Sequence, residues 1–206
     1  MLESIEIRIL EKVKKTKRGT LFFTESFSLY GNADALRKAL ERLVKAGELE
    51  RLAAGIYYRP VLSDTFGKLK PTLEEVALAI AERDRARIVP TGDFALNSLG
   101  LSTQVPVNLI YLTDGSARKI TIGKRSVVFK KTTPKNVATI GKISGLAIQA
   151  LKTIGKDKVL DKEITHIREL LKKEKPERLK HDIQLAPAWI REIMLPVLKQ
   201  STDQQQ

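Results

Sequence analysis

Four basic residues at helical spacing are the first side chains in this sequence whose chemistry can be recognised. They are Arg37, Lys38, Arg42 and Lys45. They lie on the polar side of a predicted amphipathic helix, Asn32 to Lys45, whose other side is an apolar stripe. Guanidinium and ammonium groups bind phosphate oxygens and base edges, so this pattern favours a helix that contacts nucleic acid. The alternative is an ordinary solvated helix surface, on which Glu41 pairs with Arg37 or Lys45.

A second group of basic residues lies in a segment without acids. Residues 115–156 contain ten Lys or Arg and no Asp or Glu. The residues of this segment that we expect to contact phosphate are Arg118, Lys119, Lys124 and Arg125. Charge of one sign at this density attracts phosphate, whereas the alternative is a basic rim that only solvates a sheet. Strand alternation predicts one shared outer face for Lys119, Thr121, Ser126 and Lys130.

Residues that could support catalysis or bind a metal form no recognisable constellation. Gly115 and Ser116 resemble the glycine–serine pair of nucleotidyltransferases, but basic residues and valines replace the acids that would hold magnesium. His166 and His181 lack the spacing of a zinc site, and the chain has no cysteine. We therefore expect no catalytic residue, no metal and no cofactor, and we expect the histidines to be surface or helix-capping residues.

A polar segment from Thr91 to Gln104 is a further candidate, because its small polar side chains could line a ligand pocket. A structural role explains most of them. Thr91 or Asp93 can cap a helix, and Ser102 can close a turn. We favour the structural role.

The composition of the whole chain favours a polyanionic partner. Its 206 residues include 37 Lys or Arg and 24 Asp or Glu, which gives a formal net charge of +13. A surface with that charge attracts nucleic acid. The absence of cysteine suits a reducing compartment, and the first residues show neither a signal peptide nor a membrane span. We therefore expect a cytoplasmic protein that does not bind membranes.

The elements that must position the first basic group lie in residues 1–62. Apolar periodicity predicts a first helix, a short strand, a short second helix and then the basic helix as the third. Two β-prone stretches around Gly55 predict a tight hairpin that would present Arg51 and Arg59 to phosphate. Three helices followed by a hairpin are the layout of a winged helix-turn-helix DNA-binding domain.

A second domain is predicted in residues 70–200. Ser63 to Lys70 has the composition of a linker, and Thr72 and Glu75 then form a capping box at the start of a helix. Three β-prone segments and a run of helices follow.

The expected fold class is therefore α+β. An N-terminal winged helix-turn-helix precedes a mixed α/β domain with a small sheet and a helical C-terminal part. Pro196 should distort or end the last helix, and we expect residues 201–206 to be a disordered tail.

Four segments of the sequence carry a family resemblance. They are GELERLAAGIYYRP (47–60), PTLEEVALAIAER (71–83), PTGDFALNSLGLSTQVP (90–106) and YLTDGSARKI (111–120). Together they resemble the AbiEi-type antitoxin regulators, specifically the DUF6088 branch, and the resemblance covers about residues 1–170. It implies a winged helix followed by an antitoxin domain. The DNA-contacting positions that it implies are Arg37, Arg42, Lys45 and Arg51.

The resemblance also implies a role. Such a protein represses its own operon in a type IV toxin–antitoxin or phage-defence system, with a nucleotidyltransferase-like toxin as its cognate partner. From the residues and the resemblance together we expect a non-enzymatic transcription regulator that binds double-stranded DNA at its own operator. The alternatives are an RNA-binding protein and an enzyme acting on nucleic acid or nucleotides through an unrecognised site in the second domain.

Overall fold

The computed structural model describes residues 4–203, with side chains to residue 199, and shows a mixed α+β fold with small sheets. The α-helices are α1 (Ile5–Lys15), α2 (Ala33–Lys45), α3 (Leu73–Asp84), α4 (Asp93–Ser98), α5 (Lys142–Ile154), α6 (Asp161–Leu171), α7 (Pro176–Leu185) and α8 (Ala188–Asp203). The strands are β1 (Leu21–Phe23), β2 (Glu50–Ala53), β3 (Ile56–Tyr58), β4 (Val61–Ser63), β5 (Gly67–Leu69), β6 (Ile88–Pro90), β7 (Leu109–Thr113), β8 (Arg118–Ile122) and β9 (Arg125–Lys131). Two 3₁₀ helices span Thr24–Tyr30 and Pro134–Val137.

The chain divides into two compact units, residues 1–79 and 80–206, and the division falls within α3. The expected capping box is confirmed at the start of this helix. The backbone N–H of Thr72 donates to the Glu75 carboxylate at 2.7 Å, and the N–H of Glu75 donates to Thr72 Oγ1 at 3.1 Å.

In the first unit, helices and a three-stranded sheet enclose one apolar core. The sheet order is β1-β3-β2, with β3 antiparallel to both neighbours. The predicted short second helix is the 3₁₀ helix Thr24–Tyr30, and its Phe27 is fully buried between α1 and α2 residues such as Ile9 and Leu40. Truncating a core leucine such as Leu40 to alanine typically costs about 2–5 kcal/mol, so this core holds α2 against its own unit.

The segment expected to be a linker instead forms a hairpin. Strands β4 and β5 pair antiparallel, with Val61 opposite Leu69 and Ser63 opposite Gly67. Lys68 Nζ lies 2.5 Å from Glu50 Oε1, which ties this hairpin to β2. Its polar, glycine-containing sequence resembles that of a linker, and only the pairing between strands distinguishes the two.

The second unit contains a four-stranded mixed sheet in the order β6-β7-β9-β8. Strand β7 runs parallel to β9, and the other pairs are antiparallel. Tyr111 and Phe129 are buried on one face of the sheet, with ring centroids 6.1 Å apart. Strand β6, which was not expected from the sequence, pairs with β7 and adds Val89 to the buried residues.

Helices α5 to α8 follow the sheet in the second unit, and acids from distant positions cap the start of α5. Asp182 is fully buried and accepts hydrogen bonds from the backbone N–H groups of Ile140 and Gly141 and from Ser144 Oγ, the last at 2.5 Å. Glu174 accepts from the N–H of Ile143 at 2.8 Å. These carboxylates satisfy backbone donors that a helix N-terminus leaves unpaired, and their negative charge complements the helix dipole.

Pro196 lies inside the last helix. Of the two effects expected there, distortion or termination, termination is wrong, because α8 continues through this residue to Asp203. It thereby runs three residues into the tail expected to be disordered, and residues 204–206 of that tail lie outside the described part. Among the helices of residues 4–203, none combines the length and the apolarity that crossing a bilayer requires.

Candidate nucleic-acid interface

Helix α2 is positioned by its cap and by its buried stripe. Asn32 Oδ1 accepts a hydrogen bond from the N–H of Ala35 at 2.9 Å, which fixes where the helix begins. Leu36, Leu40 and Leu43 are buried, as the periodicity predicted. Their burial turns the opposite side, which carries the predicted basic residues, toward solvent.

Two of the basic residues on α2 are exposed and free of intramolecular partners. Lys38 and Lys45 lie seven residues apart, and therefore on one side of the helix. Among residues 4–199 neither side chain makes an ion pair or a hydrogen bond. These ammonium groups are therefore available to bind an anion.

Arg37 lies on the flank of α2 that faces the β2–β3 hairpin. A groove of about 330 Å³ separates the two elements, and its walls include Arg37 on the helix and Arg51 on the hairpin. The other lining residues are Thr24, Ala33, Glu41, Gly55 and Tyr57. Asp34 lies 3.4 Å from Arg37, and Arg51 Nε donates to the Ala53 carbonyl at 3.4 Å. Both distances are at the weak end of the hydrogen-bond range, so both guanidinium groups keep most of their donors free.

Thr24 and Tyr57 were not expected in this site from the sequence. Glu41 was expected on the exposed side of α2 together with the basic residues, and Ala33, Arg37 and Glu41 follow one another at four-residue spacing and so line one flank of the helix. The pairing of Glu41 with Arg37 or Lys45, which the alternative of an ordinary solvated helix surface implies, does not occur within the described residues, and Arg37 pairs with Asp34 instead.

Arg42 lies on the other flank of α2. Its Nε is 2.7 Å from Glu6 Oε2 on α1, so this guanidinium forms an ion pair between two helices of its own unit. Helical spacing alone could not separate Arg42 from Lys38, because the acid that binds it is distant in sequence.

Arg59, which was expected to contact phosphate, forms hydrogen bonds within its own unit. Its guanidinium donates to the carbonyls of Lys14 at 3.1 Å and Thr16 at 2.5 Å. These are carbonyls at the C-terminal end of α1, which lack partners within the helix. One nitrogen of the Arg59 guanidinium is therefore engaged within its own unit, whereas Arg51 lies in the groove.

The basic group of the second unit separates into bound and free side chains. Arg118 forms an ion pair with Asp84 of α3, and Arg125 Nε donates to the Val107 carbonyl at 3.1 Å. Lys119 and Lys124 are exposed, and neither has an ion pair or hydrogen bond among residues 4–199. Within the same acid-free segment, burial and the charge of nearby Lys135 lower the pKa of Lys152.

Asp114, which directly follows β7, forms an ion pair with Arg87. Asp114 Oδ2 accepts from Arg87 Nε at 2.8 Å, and Asp114 Oδ1 accepts from the Arg87 backbone N–H at 2.8 Å. The side-chain hydrogen bond from Arg87, followed by the backbone one, lowers the pKa of Asp114 although burial opposes the shift. This carboxylate is held by Arg87 and does not project as a metal ligand.

The remaining candidates have structural partners. His166 Nε2 lies 2.7 Å from the Leu99 carbonyl just after α4, and His181 Nδ1 lies 2.8 Å from Asp182. Asp182 also binds Ser144, so the carboxylate rather than the imidazole is central, unlike in a catalytic triad. Within residues 4–199 no three His, Asp or Glu side chains cluster as a metal site would require.

The Thr91 to Gln104 segment forms α4 and the turn after it. Gly92, with φ of 63°, occupies the N-cap position that the sequence assigned to Thr91 or Asp93, and glycine has no side chain that could cap the helix. The turn role of Ser102 is confirmed, because its Oγ accepts from the N–H of Gln104 at 3.1 Å.

Comparisons with known proteins identify a family to which the chain belongs and a solved structure to which it is similar. No curated protein matches the chain. The crystal structure of the RV2827C protein from Mycobacterium tuberculosis aligns with a TM-score of 0.46 and 12% sequence identity, covering 95% of this chain and 82% of that one. The model of DUF6088, a family of unknown function, matches residues 8–179. The chain therefore belongs to the DUF6088 family.

Proposed function

We propose that the first unit is a winged helix-turn-helix that binds double-stranded DNA, and that the protein is a transcription regulator. In this proposal α2 enters the major groove, and the β2–β3 hairpin is the wing that contacts the adjacent backbone. The protein acts by binding and is not an enzyme.

The order of elements supports the domain assignment. Helix α1, strand β1, the 3₁₀ helix Thr24–Tyr30, α2 and the β2–β3 hairpin follow one another, and β1 pairs with β3 to close the sheet. The 3₁₀ helix occupies the position of the second helix, which leaves α2 as the recognition helix. With 13 residues, α2 is about 20 Å long, which suits a major groove about 12 Å wide.

The groove between α2 and the hairpin is the observation that carries the proposal. Arg37 and Arg51 reach it from two different elements, and Lys38 and Lys45 leave their charges free on the adjoining helix surface. A guanidinium binds phosphate or guanine through paired donors, so two facing guanidinium groups suit a nucleic-acid strand better than they suit an apolar ligand.

The antitoxin role rests on the resemblance of the sequence to AbiEi-type regulators. We propose that the DNA target is the operator of the protein's own operon and that this operon encodes a nucleotidyltransferase-like toxin. Repression of an operon requires the compartment that holds the genome, which in a bacterial cell is the cytoplasm.

The test measures binding of the full chain to three labelled duplexes at one salt concentration. They are the DNA upstream of its own gene, a scrambled DNA of the same composition, and an RNA duplex of the same sequence. We expect a preference for the upstream DNA, because an α-helix fits the B-form major groove but not the deep, narrow groove of A-form RNA. Equal affinity for the two DNA duplexes, or preference for the RNA, would overturn the proposal.

A variant assigns the binding to the groove. Arg37→Ala with Arg51→Ala should weaken binding to the upstream DNA at least about tenfold, since each contact contributes about 1–3 kcal/mol. The matched control is Arg178→Ala with Lys180→Ala, which removes two exposed charges from α7. An equal loss in both variants would show that only net charge matters.

A further inference from the structure

The outer face of the β8–β9 pair carries a group of polar and basic side chains, which we call the ribbon face. Its members are Lys119 and Thr121 on β8, Lys124 in the turn, and Lys130 on β9. The pairing register sets Lys119 opposite Val128, so Lys130, two residues further along β9, projects from the same face. Diagonal neighbours of this kind are about 7–8 Å apart. The expected sharing of one exposed face is confirmed for Lys119, Thr121 and Lys130. It is wrong for Ser126, which lies opposite Thr121 but is buried, with its N–H and hydroxyl both donating to Asn108 Oδ1 at 2.8 Å.

Strand alternation separates this face from the arginines. Arg118 precedes Lys119 on β8 and therefore lies on the opposite face, where it binds Asp84. Arg125 is bound to the Val107 carbonyl. The arginines of the ribbon hold the fold together, whereas its lysines project into solvent.

The acids near the sheet do not compensate the lysines. Asp84 is bound by Arg83 and Arg118, and Asp114 is bound by Arg87. Residues 115–156 supply no further acid. Among residues 4–199, no carboxylate forms an ion pair with Lys119, Lys124 or Lys130. The ribbon face therefore keeps its positive charge uncompensated.

Protection of a sheet edge explains only part of this arrangement. Strand β8 is an edge of the sheet, and lysine on an edge strand prevents pairing with another chain. Strand β9 pairs with β7 as far as Lys131, but its pairing with β8 ends at Phe129, so one side of β9 is unpaired at Lys130 and edge protection applies there too. Lys124 differs, because it lies in the turn between β8 and β9, where no strand edge needs protection. Lys124 therefore needs another explanation.

We propose that the ribbon face is a second nucleic-acid-binding surface, separate from α2, that contacts the backbone phosphates of duplex DNA without reading sequence. Lysine is a compact point charge that binds phosphate without the fixed geometry of guanidinium, which suits contact at any sequence. The Thr121 hydroxyl adds a hydrogen-bond donor. A lipid surface fits less well, because membrane-binding faces add exposed aromatic or leucine side chains, and Phe129, the one aromatic residue within 118–131, is buried.

The test uses the full chain and a duplex of mixed sequence that lacks its promoter. Binding is measured from about 50 to about 200 mM salt for wild type and for Lys119→Gln with Lys130→Gln. The slope of log K against log salt is negative, and each lost phosphate contact reduces its magnitude by about 0.9. The slope should therefore become shallower by about two units. The control, Lys162→Gln with Lys180→Gln, removes two exposed lysines of α6 and α7 and should leave the slope unchanged.

Three outcomes would overturn the inference. One is an equal slope change in the ribbon variant and the control, which would mean that only net charge matters. Another is an unchanged slope with new self-association of the ribbon variant in light scattering, which would assign the lysines to edge protection. The last is ribbon-dependent binding only to vesicles of equal parts phosphatidylcholine and phosphatidylserine, which would assign the face to a membrane.

The experiments can refute the ribbon face and the winged-helix proposal independently of each other. Repeating the salt series in the Arg37→Ala, Arg51→Ala background should give the same change of about two units, because the two surfaces bind independently. If the protein does not prefer its upstream DNA but the slope change persists, the winged-helix proposal fails and the ribbon face stands. If the preference is present and the slope does not change, only the ribbon face is refuted.

Discussion

Arg42 of α2 is held by Glu6 of α1, with Nε and Oε2 only 2.7 Å apart. This ion pair joins the helix that faces solvent to the helix that supports it. Two of the four basic residues predicted on α2 are arginines, Arg37 and Arg42. The ion pair with Glu6 gives Arg42 a different role from Arg37. Arg37 borders the groove, and Arg42 orients α2 against α1.

We predict that Arg42→Gln weakens binding to the upstream DNA less than Arg37→Gln does. Arg37→Gln should lose about tenfold, the equivalent of one contact, and Arg42→Gln less than about threefold. The pair is well exposed on the Arg42 side, so its loss should lower the free energy of unfolding by no more than about 1 kcal/mol. Binding curves and urea unfolding of the two variants measure both effects. A larger loss of affinity for Arg42→Gln would place its guanidinium on DNA.

Asp182 gives a prediction about stability. Asp182→Ala leaves the N–H of Gly141 and the Ser144 hydroxyl without their acceptor in a buried position, and the N–H of Ile140 without its acceptor in a partly buried one. Each unsatisfied buried donor costs about 1–3 kcal/mol, so the free energy of unfolding should fall by at least about 2 kcal/mol. Glu169→Gln, which breaks an exposed pair with Lys172, is the control and should cost less than about 1 kcal/mol. Equal midpoints of urea unfolding for Asp182→Ala and wild type would contradict the capping role of Asp182.

Asp114 gives a prediction about pH. Hydrogen bonds from Arg87 lower the pKa of Asp114 in the folded chain, so its carboxylate stabilises the fold above the ordinary value of 3.8 and loses this effect as the pH falls through the folded pKa. Asp114→Asn should therefore be less stable than wild type near neutral pH, and the difference should shrink below about pH 4. Urea unfolding at several pH values measures it. The exposed Asp157→Asn is the control, and a difference for Asp114→Asn that does not vary with pH would refute the assignment.

The sequence predicted best those features that depend on local patterns. The apolar stripe of α2, its Asn32 cap and the Thr72–Glu75 capping box all come from residues within one or two helical turns. Strand alternation likewise placed Lys119 and Lys130 on one face before the register was known. These features follow from backbone geometry, which repeats with a fixed period.

Partners that are distant in sequence could not be predicted in this way. Arg42 pairs with Glu6, and Arg118 pairs with Asp84, 34 residues earlier in the chain. Arg59 looked like a phosphate ligand on the hairpin, but it binds carbonyls of α1. The pattern of charges shows which side chains are basic, and only the tertiary structure shows which of them already have a partner.

The caps of α5 have a consequence for synthesis of the chain. Ser144 is followed by Glu174 after 30 residues and by Asp182 after 38. While the ribosome is still adding those residues, the opening turn of α5 must rely on water for its amide groups. The second unit therefore acquires a fully satisfied α5 only when α7 has emerged, so its helices mature together at a late point of translation.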